Sequence, residues 1–196
     1  PQLAADDGFA LRDIQGLDLD DRLLAVASRE ENTVTLFDLS DVEAPSFASA
    51  LVDDIGGFDA LAGASDVVIT GNLLIIASAY DSAVTFADIT DLGNAFPISV
   101  LRDDNLGFDD FRGANHLAVS GNLLAIAARN DEAVTLVEIS NPSSPTLLST
   151  VKQGTDGAVF LRDISDLELA GNVLAIASEW DDAVTFVNVS IPSAPV

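Results

Sequence analysis

The 196-residue chain has no cysteine and no methionine, and only one histidine, His116, one lysine, Lys152, one tyrosine and one tryptophan. Without cysteine there is no disulfide, no thiolate zinc site and no thiol nucleophile, and a lone histidine cannot build a multi-histidine metal centre. Basic residues are scarce: Lys+Arg number 8 against 32 for Asp+Glu, a formal net charge of -24. Such a surface repels phosphate backbones and anionic headgroups, so nucleic acid is not an expected partner, whereas cations and basic surfaces are. Long apolar runs are also missing. Stretches such as Leu73-Leu74-Ile75-Ile76-Ala77 are too short to span a bilayer, and no membrane insertion is expected. The chain opens on Pro1 with no basic, then apolar, leader, so it reads as a processed or excised piece of a larger, multidomain protein.

What is present is internal repetition. Leu23-Leu24-Ala25-Val26-Ala27-Ser28 returns as Leu73-Leu74-Ile75-Ile76-Ala77-Ser78, as Leu123-Leu124-Ala125-Ile126-Ala127-Ala128 and as Val173-Leu174-Ala175-Ile176-Ala177-Ser178, a period of 50 each time. The register holds downstream, where Thr33-Val34-Thr35-Leu36 becomes Ala83-Val84-Thr85-Phe86, Ala133-Val134-Thr135-Leu136 and Ala183-Val184-Thr185-Phe186. A weaker period of 100 overlies it: Leu36 and Leu136 alternate with Phe86 and Phe186, and Arg29 and Arg129 with Ala79 and Glu179. Each copy is made of short β-branched or alternating segments between Gly, Asn, Asp, Ser and Pro, which is a strand-and-turn pattern. In the third copy the strands fall at about His116–Ser120, Leu123–Ala128, Ala133–Ile139 and Thr146–Val151, the first two joined by Gly121-Asn122.

Four-stranded units at this period are blades of a β-propeller. The expected fold is all-β: four four-stranded antiparallel blades in a single domain, 1–196, with repeats at about 9–58, 59–108, 109–158 and 159–196 plus 1–8. The last copy stops before a fourth strand, and the N-terminal segment is expected to supply it and close the ring, removing a sheet edge. A domain-swapped or larger ring is the alternative.

The run Asp163-Ile164-Ser165-Asp166-Leu167-Glu168-Leu169-Ala170-Gly171-Asn172-Val173-Leu174-Ala175-Ile176-Ala177, followed by Val184-Thr185-Phe186-Val187-Asn188-Val189-Ser190 and Pro192 to Pro195, resembles the LVIVD repeat. The resemblance runs over nearly the whole chain and implies a β-propeller of a secreted or cell-surface protein; it is nearly silent on function. Ala133 and Ala183 stand where the family has Gly before its third strand, and Leu74 and Leu124 where it has an aromatic.

In a propeller, blade-to-blade loops and the loops between second and third strands open on one end. That end collects the acidic pairs Asp53-Asp54, Asp103-Asp104 and Asp109-Asp110, which are candidate metal ligands because calcium takes carboxylate and carbonyl oxygens. No EF-hand or nonapeptide pattern supports them, and a solvated acidic face is the competing reading. Tyr80 and Trp180 occupy one repeat position in the same loops, as an aromatic beside carboxylates would in a glycan or cation site. Arg12, Arg112 and Arg162 share a position before the innermost strand, where they either bind an anion or neutralise aspartates, with Asp13 and Asp163 as neighbouring partners. His116 shares its position with Asp66 and Asp166 at the expected channel. Together these features suggest a non-enzymatic, extracellular or cell-surface module that binds a protein or glycan through its acidic end, with calcium as the cofactor such an end would take. The alternative is a carboxylate-based, glycosidase-like hydrolase with its site at the channel.

Overall fold

The structure is a computed structural model that describes residues 2–4, 8–154 and 160–196. It is all-β, with fifteen strands among the described residues and a single 3-10 turn at Leu92–Asn94. The strands are β1 (Ile14–Asp20), β2 (Leu23–Ser28), β3 (Thr33–Asp38), β4 (Ser46–Val52), β5 (Ala64–Thr70), β6 (Leu73–Ser78), β7 (Ala83–Asp88), β8 (Phe96–Arg102), β9 (Ala114–Ser120), β10 (Leu123–Ala128), β11 (Ala133–Glu138), β12 (Thr146–Lys152), β13 (Ile164–Ala170), β14 (Val173–Ser178) and β15 (Ala183–Asn188). They form four separate antiparallel meanders, one per repeat: β1 to β4 (blade 1), β5 to β8 (blade 2), β9 to β12 (blade 3) and β13 to β15 (blade 4). These are β-propeller blades, and the third-copy strands match the sequence expectation to within two residues at each end.

Blade 4 has three strands among the described residues. The N-terminal segment was expected to add the fourth, but Gln2–Ala4 form no strand, and the rest of that expectation, Pro1 and residues 5–7, lies outside the described residues. Within the chain two compact units are distinguished, Pro1–Val100 and Leu101–Val196, each holding two blades. The boundary coincides with the weaker 100-residue period.

The hairpin turns follow from local chemistry. The first residue of each two-residue turn between first and second strands has positive φ: Asp21 at 51°, Gly71 at 59°, Gly121 at 61° and Gly171 at 58°. Glycine pays no Cβ penalty there, and aspartate is among the few residues that tolerate the region. In unit 1 one core is built from the facing surfaces of blades 1 and 2, with Ala25, Val34 and Leu36 packed with Ala64, Val67, Ile69 and Ile76. In unit 2 the equivalent core sets Ala125, Val134 and Leu136 against Ile164, Leu167, Leu169 and Ile176. Full burial of one such aliphatic side chain is worth about 1.5–3 kcal/mol, so face-to-face packing of blades dominates the stability of each unit.

A bulge recurs at the start of every first strand: pairing shifts between Ile14 and Gly16, between Ala64 and Asp66, between Ala114 and His116, and between Ile164 and Asp166. A bulge re-aims the residue that follows it. Here that residue is the fourfold position Gly16, Asp66, His116 and Asp166.

Candidate functional site

Two loop types share one end of each blade, and main-chain bonds tie them together. In blade 1 the Arg29 amide donates to the Asp13 carbonyl (3.0 Å), and the Asp53 amide to the Asn32 carbonyl (3.1 Å). The same bonds run from Ala79 to Gly63 (3.0 Å), from Glu179 to Asp163 (3.0 Å) and from Gln153 to Glu132 (3.0 Å).

The carboxylates of this end are mostly engaged by the loops themselves. Asp53 Oδ1 accepts from the Leu61 amide (2.9 Å) and Asp103 Oδ1 from the Phe111 amide (2.9 Å). Gln153 Oε1 takes the same role toward Leu161, so an uncharged acceptor serves equally well. Asp54 and Asp104 sit at φ 61° and 57° in the exposed turn that follows. Asp109 is exposed, while Asp110 receives the Lys152 ammonium at 2.7 Å. Among the described residues no three acidic or imidazole side chains come together as a metal would need. The six aspartates singled out as metal ligands are therefore spread between turn acceptors, an ion pair and solvent.

A second repeated acceptor closes the inner turn. Asp81, Asp131 and Asp181 accept from the amides of Ala62 (2.8 Å), Arg112 (2.8 Å) and Arg162 (2.9 Å). Each arginine folds back on the acid of its own blade: Arg12 Nε lies 3.7 Å from Glu31, Arg112 Nη1 3.9 Å from Asp131 and Arg162 Nη2 2.5 Å from Asp181. The Arg162 amide and, after it, the Arg162 guanidinium hold the Asp181 carboxyl below the usual carboxylate range. Asp13 and Asp163, expected to pair with Arg12 and Arg162, instead pair with Arg29 (2.8 Å) and Arg129. The reason is backbone geometry. Both aspartates occupy a left-handed position, φ 53° and 57°, which aims the carboxylate at the β2–β3 or β10–β11 loop.

Gly63 and Gly113 hold that left-handed position in the other two blades, and aromatic placement depends on one of them. A Cβ on Gly63 would lie 2.6 Å from Tyr80 Cγ and 2.8 Å from the Tyr80 amide nitrogen, so the tyrosine is laid across the bare glycine. Tyr80 is nevertheless 67% exposed, and Trp180, at the equivalent place in blade 4, is 71% exposed. The ring pairs among the described residues are all phenylalanines, such as Phe9 with Phe37 and Phe108 with Phe111.

At the bulge position, Asp66 and Asp166 each turn one oxygen onto the next amide of their own strand, Val67 and Leu167, both at 2.9 Å. In unit 1 the first strands approach so closely that a Cβ on Gly16 would meet Asp66 Oδ1 at 2.6 Å, and Asp18 Oδ2 accepts from the Ile69 amide at 2.6 Å. In unit 2 Asn115 Nδ2 donates to the Ile164 carbonyl (3.2 Å). Burial lowers the His116 pKa, partly offset by the Asp166 carboxylate, with Arg129 acting in the same direction as burial. The imidazole is thus neutral at pH 7. Recurrence of the bulge was the feature that sequence reading missed; Gln15, Ser65, Asn115 and Ser165, polar residues ahead of each apolar strand, are its only signal.

Residues 112–153 match the LVIVD repeat, which places the match on blade 3. No curated protein sequence matches the chain. Among solved structures the chain is similar to a protein from Lactobacillus plantarum (16% identity, TM-score 0.74, 92% of this chain and 55% of that one). It is also similar to a periplasmic gluconolactonase of Pseudomonas aeruginosa (13% identity, TM-score 0.70, 89% and 49%) and to a computationally designed protein (12% identity, TM-score 0.64, 90% and 91%). At these identities the likeness shows the fold. The chain spans about half the length of the two natural proteins.

Proposed function

We propose that this β-propeller chain, whose third blade matches the LVIVD repeat, is a non-enzymatic binding module of an extracellular or cell-surface protein, working through the loop ends that carry Tyr80 in unit 1 and Trp180 in unit 2. The observation that carries this reading is an exposed aromatic at the loop end of each unit, Tyr80 with exposed Asp54 in unit 1 and Trp180 with exposed Asp104, Asp109, Glu179 and Asp182 in unit 2. Large exposed aromatics beside carboxylates suit a sugar ring or a cationic side chain, which stacks on the aromatic and pairs with the acid. Asp131 and Asp181, by contrast, are engaged by the loop amides of Arg112 and Arg162.

Trp180 is the sole tryptophan, so its fluorescence reports on this end alone. Titration with an oligo-arginine peptide and with neutral oligosaccharides is expected to shift the emission, the peptide response weakening as salt rises. An unchanged spectrum with both, together with unchanged binding by Trp180→Ala, would remove the reading. Calcium is tested separately: a melting temperature that rises with millimolar calcium beyond the effect of sodium at equal ionic strength supports a bound ion.

The second reading, a hydrolase at the channel, rests on the proximity of His116 and Asp166 and on the name of the Pseudomonas neighbour. It requires that the chain open a lactone or glycoside and that Asp166→Asn abolish that turnover; absence of turnover in the unaltered protein leaves the binding module.

A further inference from the structure

Every blade leaves its third strand through the same three-residue turn: Asp38-Leu39-Ser40, Asp88-Ile89-Thr90, Glu138-Ile139-Ser140 and Asn188-Val189-Ser190. In each, the first side chain accepts from the amide of the third residue, at 2.7, 2.8, 3.0 and 2.9 Å in chain order. The middle residue is anchored, Ile89, Ile139 and Val189 being buried, while Ser40, Thr90, Ser140 and Ser190 are exposed. Solvent therefore meets this turn in all four blades, and the exposure of Asn188 is a property of the repeat.

The turn requires only an oxygen acceptor, which a carboxylate and a carboxamide supply alike. Blade 4 alone uses a carboxamide. Its Oδ1 is committed to the Ser190 amide, and Asn188 Nδ2 has no hydrogen-bond partner among the described residues. Asn-x-Ser, with any residue but proline at the centre, is the acceptor pattern for N-linked glycans on secreted proteins. Asn141-Pro142-Ser143 makes a similar turn, Asn141 Oδ1 accepting from the Ser143 amide at 3.3 Å, but Pro142 disqualifies it. Asn188 is thus the sole usable acceptor in the chain.

We propose that Asn188 is an N-glycosylation site, presented by a turn that every blade shares; this rests on the extracellular placement given above. The sugar donor is an oligosaccharide carried on a polyprenyl pyrophosphate, used by a transferase that reads chains entering the secretory route. Asn188 Nδ2 attacks the anomeric carbon and gives up one proton. A carbon–nitrogen bond forms as the bond from that carbon to the phosphate oxygen breaks, and the pyrophosphate leaves with the electron pair. Asp38, Asp88 and Glu138 have no N–H to replace, which confines the reaction to one blade. Because β15 runs Ala183–Asn188, the glycan stands about 17 Å along the strand, at the opposite end of blade 4 from Trp180, and leaves the aromatic end free.

The test is the intact mass of the full chain, secreted behind a cleavable leader from a eukaryotic cell that makes N-linked glycans, before and after peptide N-glycosidase. One enzyme-sensitive oligosaccharide is expected, lost in Asn188→Gln and Ser190→Ala and kept in Ser190→Thr. Ser190→Ala preserves the Asn188 side chain and the amide it accepts from, so loss of the glycan in that variant is not a folding effect. Asp88→Asn gives the equivalent turn of blade 2 the same acceptor pattern and is expected to add a second oligosaccharide; a single one in that variant overturns the role assigned to the turn. A secreted chain of unmodified mass, or a glycan that survives Asn188→Gln, overturns the proposal. Since the leader supplies the secretory route, an unmodified product removes this site alone, whereas the Trp180 titration decides the binding reading.

Discussion

Blades 2 and 4 carry the same repeat in two situations. Phe86 and Phe186 stand in the same register, opposite Ile75 and Ala175, yet one is fully buried and the other 71% exposed. Asp88 and Asn188 both cap the turn after the third strand, accepting from the amides of Thr90 (2.8 Å) and Ser190 (2.9 Å), yet only one carries charge. Gly63 lies beneath Tyr80, whereas Asp163 in the same left-handed position holds Arg129. Strand formation is thus a property of the repeat. Burial and charge pairing are properties of what lies next to it.

The largest effect separates the two phenylalanines. Phe86→Ala is expected to cost about 3–5 kcal/mol, the usual loss for a large core side chain, while Phe186→Ala changes the stability of the isolated chain by less than about 1 kcal/mol. Denaturant unfolding at low protein concentration measures both, and equal losses would break the distinction between covered and open faces.

Next comes the glycine. Gly63→Ala places a Cβ against the Tyr80 main chain at φ +72° and is expected to cost about 1–3 kcal/mol. Gly71→Ala, at φ +59° with open space around it, should cost about 1–2 kcal/mol from backbone strain alone. Thermal melting of the pair checks whether Tyr80 is held by contact or only by the turn.

The acid limb of stability distinguishes the turns. Hydrogen bonds from the side chain and then the amide of Thr90 lower the Asp88 pKa, and those of Ser40 lower that of Asp38. A carboxylate depressed in the folded state binds fewer protons than in the unfolded chain. Its contribution is full above the ordinary value near 3.9 and is lost as pH falls through the folded value. Asp88→Asn should flatten the fall of unfolding midpoint below pH 4, and Asn188→Asp should steepen it.

The smallest effect concerns His116. Because burial holds its pKa below the ordinary value near 6.5, the unfolded chain takes up a proton first, and stability declines slightly as pH drops from 7 through that window. His116→Gln is expected to remove this decline, seen as a flatter midpoint between pH 7 and 5.

Much of this was legible from the sequence. The meanders, their turns and the shared position of Asp66, His116 and Asp166 follow from period and alternation, which local sterics and burial impose on any chain of this pattern. The roles of the acids were less legible. Asp53 and Asp103 look like a ligand series until Gln153 is seen making the same bond to the next loop, and the pairing of Asp13 with Arg29 depends on a left-handed φ that no neighbouring residue announces. Which carboxylates are spent on amides is a matter of loop geometry.

The sequence by itself determined the blade: four copies of one strand-and-turn pattern, each obliged to cover two apolar faces because every third strand is apolar on both sides. Only the tertiary structure decided which of those faces find a cover. Periodicity records what a side chain needs, whereas burial depends on whether another surface meets it: Leu17 and Phe186 are exposed while Val67 and Phe86, at the same repeat positions, are buried.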